Sequence, residues 1–190
     1  MKSVSISGSL RENVGKKDAK AQRAQGLVPC VLYGGEKQFQ FVVPVTQFKK
    51  LIYTPEVRYA ELTIEGNTYN TIVQASQFHP ISDALLHVDF LEIIEGRPIT
   101  IGIPVVVSGV SPGVLRGGKL DKKARKLKVR GELKNIPEQI TVDITPLEIN
   151  DAIKVENIKI DNLTIIEKPT KIVVQVIPTR NVEEVVPEKE

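Results

Sequence analysis

The stretch SVSISGSL, residues 3–10, alternates Val4, Ile6, Gly8 and Leu10 with Ser3, Ser5, Ser7 and Ser9. A period of two is the signature of a strand with one face on a core and one in water. Working outward, GKKDAKAQRAQG offers Asp18 as an N-cap, good helix formers and Gly26 as a C-cap, which predicts a short helix over about 19–25. Strands follow near VPCVLY and QFQFVV, then a helix capped by Thr46 with Phe48, Leu51 and Ile52 on its apolar side. A hairpin turns at Glu65-Gly66-Asn67, with arms over about 57–64 and 68–75. In ALLHVDFLEI, residues 84–93, Leu86, Val88 and Phe90 fall on one face and His87 and Asp89 on the other. These elements describe a small β-barrel-like domain over 1–92.

Beyond a hinge at Glu95-Gly96-Arg97-Pro98, the segments ITIGIPVVVSGV, KLKVRGEL, QITVDIT and KIVVQVI open a second β-rich series over 93–180. The final stretch, 181–190, holds one Lys against four Glu and no periodic apolar face, which predicts an acidic, frayed tail. The fold class expected is mainly β with a few short helices, in two domains. With 190 residues the chain has room for both.

Composition narrows the function. The single cysteine, Cys30, excludes an internal disulfide and a Cys-based zinc cluster. It alternates with Val28 and Leu32, which favours a buried structural thiol over a nucleophile. No apolar run approaches the ~18 residues of a membrane span, and Met1-Lys2 leads into a strand, so a cytoplasmic protein without membrane contact is expected. The net charge of +3 is small but unevenly placed. Residues 1–33 carry six Lys/Arg against two acids, and 93–180 carry fifteen against ten. One localised anionic partner fits this better than indiscriminate polyanion binding.

Lys16, Lys20 and Arg23 share one side of the predicted helix and its entry. Gln74, His87 and Asp89 alternate away from apolar neighbours, as exposed polar groups on a strand wall. On composition alone the three cations read as a solvated helix face. An acid–base or metal role for His87 and Asp89 lacks a third ligand at a recognisable spacing, and no catalytic triad is evident. His79, before Pro80, reads as a turn residue packed beside Phe78. The stretch SPGVLRGGKL lacks the phosphate-loop pattern because Leu120 follows Lys119, and reads as a turn. For Lys122 to Arg130, a solvated basic hairpin and an RNA contact both stand open, with the hairpin favoured.

Three landmarks occur in order: LRENVGKKDAKAQRAQGLVPCVLYGG, VQASQFHP and LLHVDFLEI. Together they resemble the bacterial ribosomal large-subunit protein twenty-five family, which binds 5S rRNA. The segments GVSPGVLRGGKL and NIPEQITVDITPLEINDAI resemble the second domain of its long form, the general stress or CTC type. The resemblance implies a non-enzymatic structural constituent of the large subunit, cytoplasmic and ribosome-associated. Its partners would be 5S rRNA, at the irregular internal loop E, and other large-subunit components. No cofactor, metal or small-molecule substrate is implied.

By resemblance, Arg11, Lys16, Lys20 and Arg23 match the basic contacts, and Tyr33, Gln74, His87 and Asp89 the polar surface. Where relatives commonly have Ser-Arg in the helix, this chain has Ala19-Lys20, which keeps the charge but loses a hydroxyl and a planar guanidinium fork. A tRNA anticodon-binding module is the competing binding class, because similar barrels accompany glutaminyl-tRNA synthetase catalytic domains; no nucleotide-binding catalytic half is seen here. A hydrolase using His87 and Asp89 is the enzyme alternative.

Overall fold

The computed structural model describes residues 1–54, 56–160 and 162–179. The tail expected over 181–190 lies outside them. The chain divides into two compact units, one of Met1–Ile99 with Glu132–Ile136, the other of Thr100–Gly131 with the residues from Pro137 on.

The first unit is built from β1 (Lys2–Leu10), α1 (Lys16–Ala24), β2 (Leu27–Tyr33), β3 (Phe39–Pro44), β4 (Arg58–Ile64), β5 (Asn67–Phe78) and β6 (Leu85–Glu92). Its six strands close into a barrel in the order β1-β3-β2-β6-β5-β4. Closure is completed by parallel pairing of β1 with β4, Lys2 opposite Arg58 through Gly8 opposite Ile64. Every strand thereby has two neighbours and no edge is left open. Ile6, Cys30, Leu32, Phe41, Val43, Leu62, Val88 and Phe90 fill the interior, with the rings of Phe41 and Phe90 5.8 Å apart. Cys30 is fully buried, so its thiol is structural.

Two local features follow from residue choice. The β4–β5 hairpin closes with Ile64 opposite Asn67, so Glu65 and Gly66 form a two-residue turn with both φ positive, at 50° and 84°; this is the turn whose twist matches the flanking strands. Gly8 faces the ring of Phe41, and a Cβ built there would lie 2.5 Å from Cδ2.

Several expectations are corrected. The helix α1 begins at Lys16 with Gly15 as its cap, while Asp18 sits in the first turn. A carboxylate there complements the helix dipole, and Arg11 holds it from outside. The segment after Pro44 is a 3-10 helix over Val45–Lys50, not an α-helix capped by Thr46; three residues per turn bring Phe48 and Leu51 onto the same inward line. Leu10, at the end of β1, is exposed. On β6 the core residue is Leu85 and Leu86 is only half-buried.

The second unit contains β7 (Ile99–Ser108), α2 (Pro112–Leu115), β8 (Lys119–Lys122), β9 (Lys126–Gly131), β10 (Ile140–Asp143), β11 (Ala152–Lys154), β12 (Thr164–Ile165) and β13 (Ile172–Ile177). They form a four-stranded sheet, β10-β7-β9-β12, and a three-stranded sheet, β11-β13-β8. The stretch SPGVL, read from the sequence as a turn, folds as a single helical turn, α2. Ser111 caps it, its hydroxyl accepting from Val114 N at 3.3 Å and donating to Leu147 O at 2.5 Å. Residues 122–130 are not a hairpin, because β8 pairs with β13 and β9 with β12. The chain is mostly β in both units.

Candidate nucleic-acid interface

The polar wall of the barrel starts on β6. Val88 and Phe90 point inward and are fully buried, which turns His87 and Asp89 outward. Nδ1 of His87 lies 2.7 Å from Oδ1 of Asp89. The two side chains thus lie side by side on the outer face, with the Nδ1 edge of the ring buried against the carboxylate. On the parallel neighbour β2, Val31 lies beside Asp89 and Tyr33 beside Leu91. Partial burial, and after it the Asp89 carboxylate, push the Tyr33 phenol above its ordinary value. It remains a neutral hydroxyl near pH 7, able to donate as well as accept.

On the other side of β6, the pairing with β5 is broken twice. Val73 faces Phe90 but Ala75 faces Asp89, so Gln74 is an extra residue in β5. It is exposed. Gln77 faces His87 while Phe78 faces Leu85, so Leu86 is the extra residue in β6. Each bulge reverses the alternation beyond it. As a result Ala75 and Gln77 stand on the same outer face as Asp89 and His87. Gln77 was not among the expected residues; strict alternation from Gln74 would send it inward.

The cationic arm meets this wall through the second bulge. Arg23, near the C-terminus of α1, donates from Nε to the carbonyl oxygen of Leu86 at 3.0 Å. A bulge releases a carbonyl from the strand ladder, and here a helix side chain takes it. The bond sets α1 directly against the residue before His87. Lys16 and Lys20 are exposed on the same helix, none of whose residues is buried.

Arg11 is placed differently. Its side chain is only 7 % exposed, and Nη2 donates to Asp18 Oδ2 at 2.8 Å. It ties the end of β1 to the first turn of α1 and presents little guanidinium to solvent. The structure thus gathers Arg23, His87, Asp89, Tyr33 and Gln74 on one side of the barrel, with Lys16 and Lys20 on the helix that Arg23 anchors.

The wall contains no metal-binding constellation: among the described residues no group of three His, Cys, Asp or Glu is placed to hold an ion. His79 accepts backbone N–H groups from Ile81 and Ser82 at 3.4 and 3.3 Å. It is a loop cap, as a turn residue should be. No helix among the described residues is long and apolar enough to cross a membrane.

Comparison with known proteins agrees with this architecture. The ribosomal L25p family matches residues 6–90 and the C-terminal domain of ribosomal protein TL5 matches residues 98–180. A large ribosomal subunit protein bL25 of Azobacteroides pseudotrichonymphae is 42% identical over 181 residues, covering 95% of this chain and 96% of its own. The bL25 of Cytophaga hutchinsonii is 46% identical over 166 residues, covering 87% and 86%; that of Amoebophilus asiaticus is 42% identical, covering 95% and 92%. With such identity along almost the full length of both partners, the chain belongs to the bL25 family of large ribosomal subunit proteins.

Proposed function

We infer that this chain is a non-enzymatic, ribosome-associated constituent of the bacterial large subunit in the cytoplasm, and that it binds 5S rRNA at its irregular internal loop. In this reading residues 1–92 are the RNA-binding domain and residues 93–180 a separate β domain. One observation carries it: the Arg23 bond to Leu86 O, which joins a basic helix and the His87–Asp89 wall into one continuous surface.

Such a surface suits an RNA whose groove is opened by non-standard pairs. Lys16, Lys20 and the free end of the Arg23 guanidinium neutralise phosphates and release counterions. Tyr33, Gln74, His87 and Asp89 address base edges and 2′-hydroxyls. Asp89 is the informative member. A carboxylate among phosphates is unfavourable unless it accepts from a base amino group, a hydroxyl or a cation, so its presence points to base-edge contact. Arg11 acts indirectly, holding α1 through Asp18.

The barrel wall is formed before binding, so little ordering cost falls on it when RNA arrives. Titration of the full chain with isolated 5S rRNA, in competition with tRNA, tests the assignment. Preference for 5S rRNA and a nuclease footprint over its internal loop are expected. Equal affinity for tRNA would overturn it. Replacing His87 and Asp89 together by Ala should weaken 5S binding by roughly 1–3 kcal/mol per lost base contact.

A further inference from the structure

We propose that the exposed face of β9, with the corner that leads into it, is a second RNA surface that grips the phosphate backbone of an A-form duplex without reading its sequence. The strand KLKVRG alternates strictly: Leu127 and Val129 are fully buried, and Lys126, Lys128 and Arg130 are exposed. Alternate residues on a strand are about 6.7 Å apart, a step comparable with that between phosphates along a nucleic-acid strand. Lys122, Lys123 and Arg125, at the corner that leads into the strand, are also exposed.

Little on this face neutralises the row. Across residues 119–130 there are seven basic side chains and one acid, Asp121. That carboxylate is taken by Lys123 at 2.8 Å and by Gln175 Nε2 at 3.3 Å. On the β12 side, Thr164 stands opposite Arg130. Glu167, just beyond β12, pairs with Lys171 and accepts from the backbone N of Lys128. On the β7 side, the stem of Lys126 lies over Gly102, 3.8 Å from where a Cβ would stand. The head groups of Arg125, Lys126, Lys128 and Arg130 have no ion-pair partner among the described residues. Aligned like charges repel one another, and a polyanion relieves that repulsion.

The composition of the unit selects the partner. Residues 100–179 contain no Phe, Tyr, Trp or His. Readers of unstacked single strands need aromatic platforms, and stable protein interfaces centre on aromatic or apolar anchors and are depleted in Lys. A row of point charges without either fits the backbone of a duplex.

The test uses the full chain and a plain RNA duplex of arbitrary sequence, titrated over a salt series. K126Q/K128Q/R130Q should bind this duplex at least about tenfold more weakly, and the slope of log K against log salt should fall by about three. Its affinity for isolated 5S rRNA, measured in parallel, should change less than about twofold. K126R/K128R, which keeps the charges, should bind the duplex as the parent does; this separates lost charge from lost fold. Unchanged duplex affinity in the triple glutamine variant overturns the proposal. So does a polyglutamate of matched charge competing as well as RNA, which would make the face a protein-docking surface instead.

Discussion

Arg11, ahead of α1, and Arg23, in its last turn, both tie the helix to the barrel, yet the structure uses them in opposite ways. Arg11 is nearly buried against Asp18, and Arg23 is exposed with one nitrogen on a strand carbonyl. Arg11→Ala should therefore cost about 2 kcal/mol of stability in a denaturant titration, the usual worth of a charge-assisted hydrogen bond with little solvent around it. Arg23→Ala should leave stability nearly intact and weaken 5S rRNA binding. Cys30 gives a pH signature. Burial first, and the Asp89 carboxylate next, push its thiol well above the ordinary value of 9.0. The unfolded chain ionises this thiol near that value and the folded chain does not. The folded state thus holds the extra proton, and its contribution is complete below pH 9 and lost as pH climbs further. Chevron or melting data between pH 8 and 10.5 should show that decline, absent in Cys30→Ala, and a thiol reagent at pH 8 should react only on unfolding. Burial of Cys30 was legible from Val28 and Leu32 on either side of it. The Arg11–Asp18 pair was not, because Asp18 is a good capping residue by type and nothing local shows a cation seven positions earlier reaching it.

Among the elements, the barrel strands were legible and their faces were not always so. Alternation locates β1, β2 and β6 correctly because each carries apolar residues at every second position. It fails across Gln74 and Leu86, since a bulge adds one residue and reverses every side chain beyond it. This is why Leu86 was expected in the core where Leu85 lies, and why Gln77 was missed. Gln77→Ala separates the two registers: it should change stability by less than about 0.5 kcal/mol, as for an exposed site, and on the proposed RNA-binding reading it should lower 5S affinity, as should Gln74→Ala. A buried Gln77 would instead produce clear destabilisation. In the second unit β11 has three residues and β12 two. Segments so short carry no periodicity, and only their pairing partners define them. The tight approach of Gly8 to Phe41 was also invisible locally. Gly8→Ala should cost about 1–3 kcal/mol through overpacking, measurable as a lower denaturation midpoint.

For the molecule as a whole, the aromatic residues make a built-in label. All five Phe and four Tyr lie within residues 33–90, so tyrosine emission reports on the first unit alone, whereas far-ultraviolet circular dichroism senses both. Two compact units should give guanidinium transitions whose midpoints differ between these probes; coincidence would show one cooperative block. The barrel's seam carries a further consequence, for biosynthesis. Lys2 must find Arg58, and Cys30 must find Val88, before the cylinder can shut. The first strand therefore waits for Arg58–Ile64, about a third of the way along the chain, and the cylinder shuts only once β6 has been made, at Glu92 of 190 residues; long-range pairing of this kind is slow. The cationic helix is translated early but gains its anchor, the carbonyl of Leu86, only afterwards. Until then the helix lacks that hold on β6, and the joined basic and polar surface exists only after the sixth strand has been laid down.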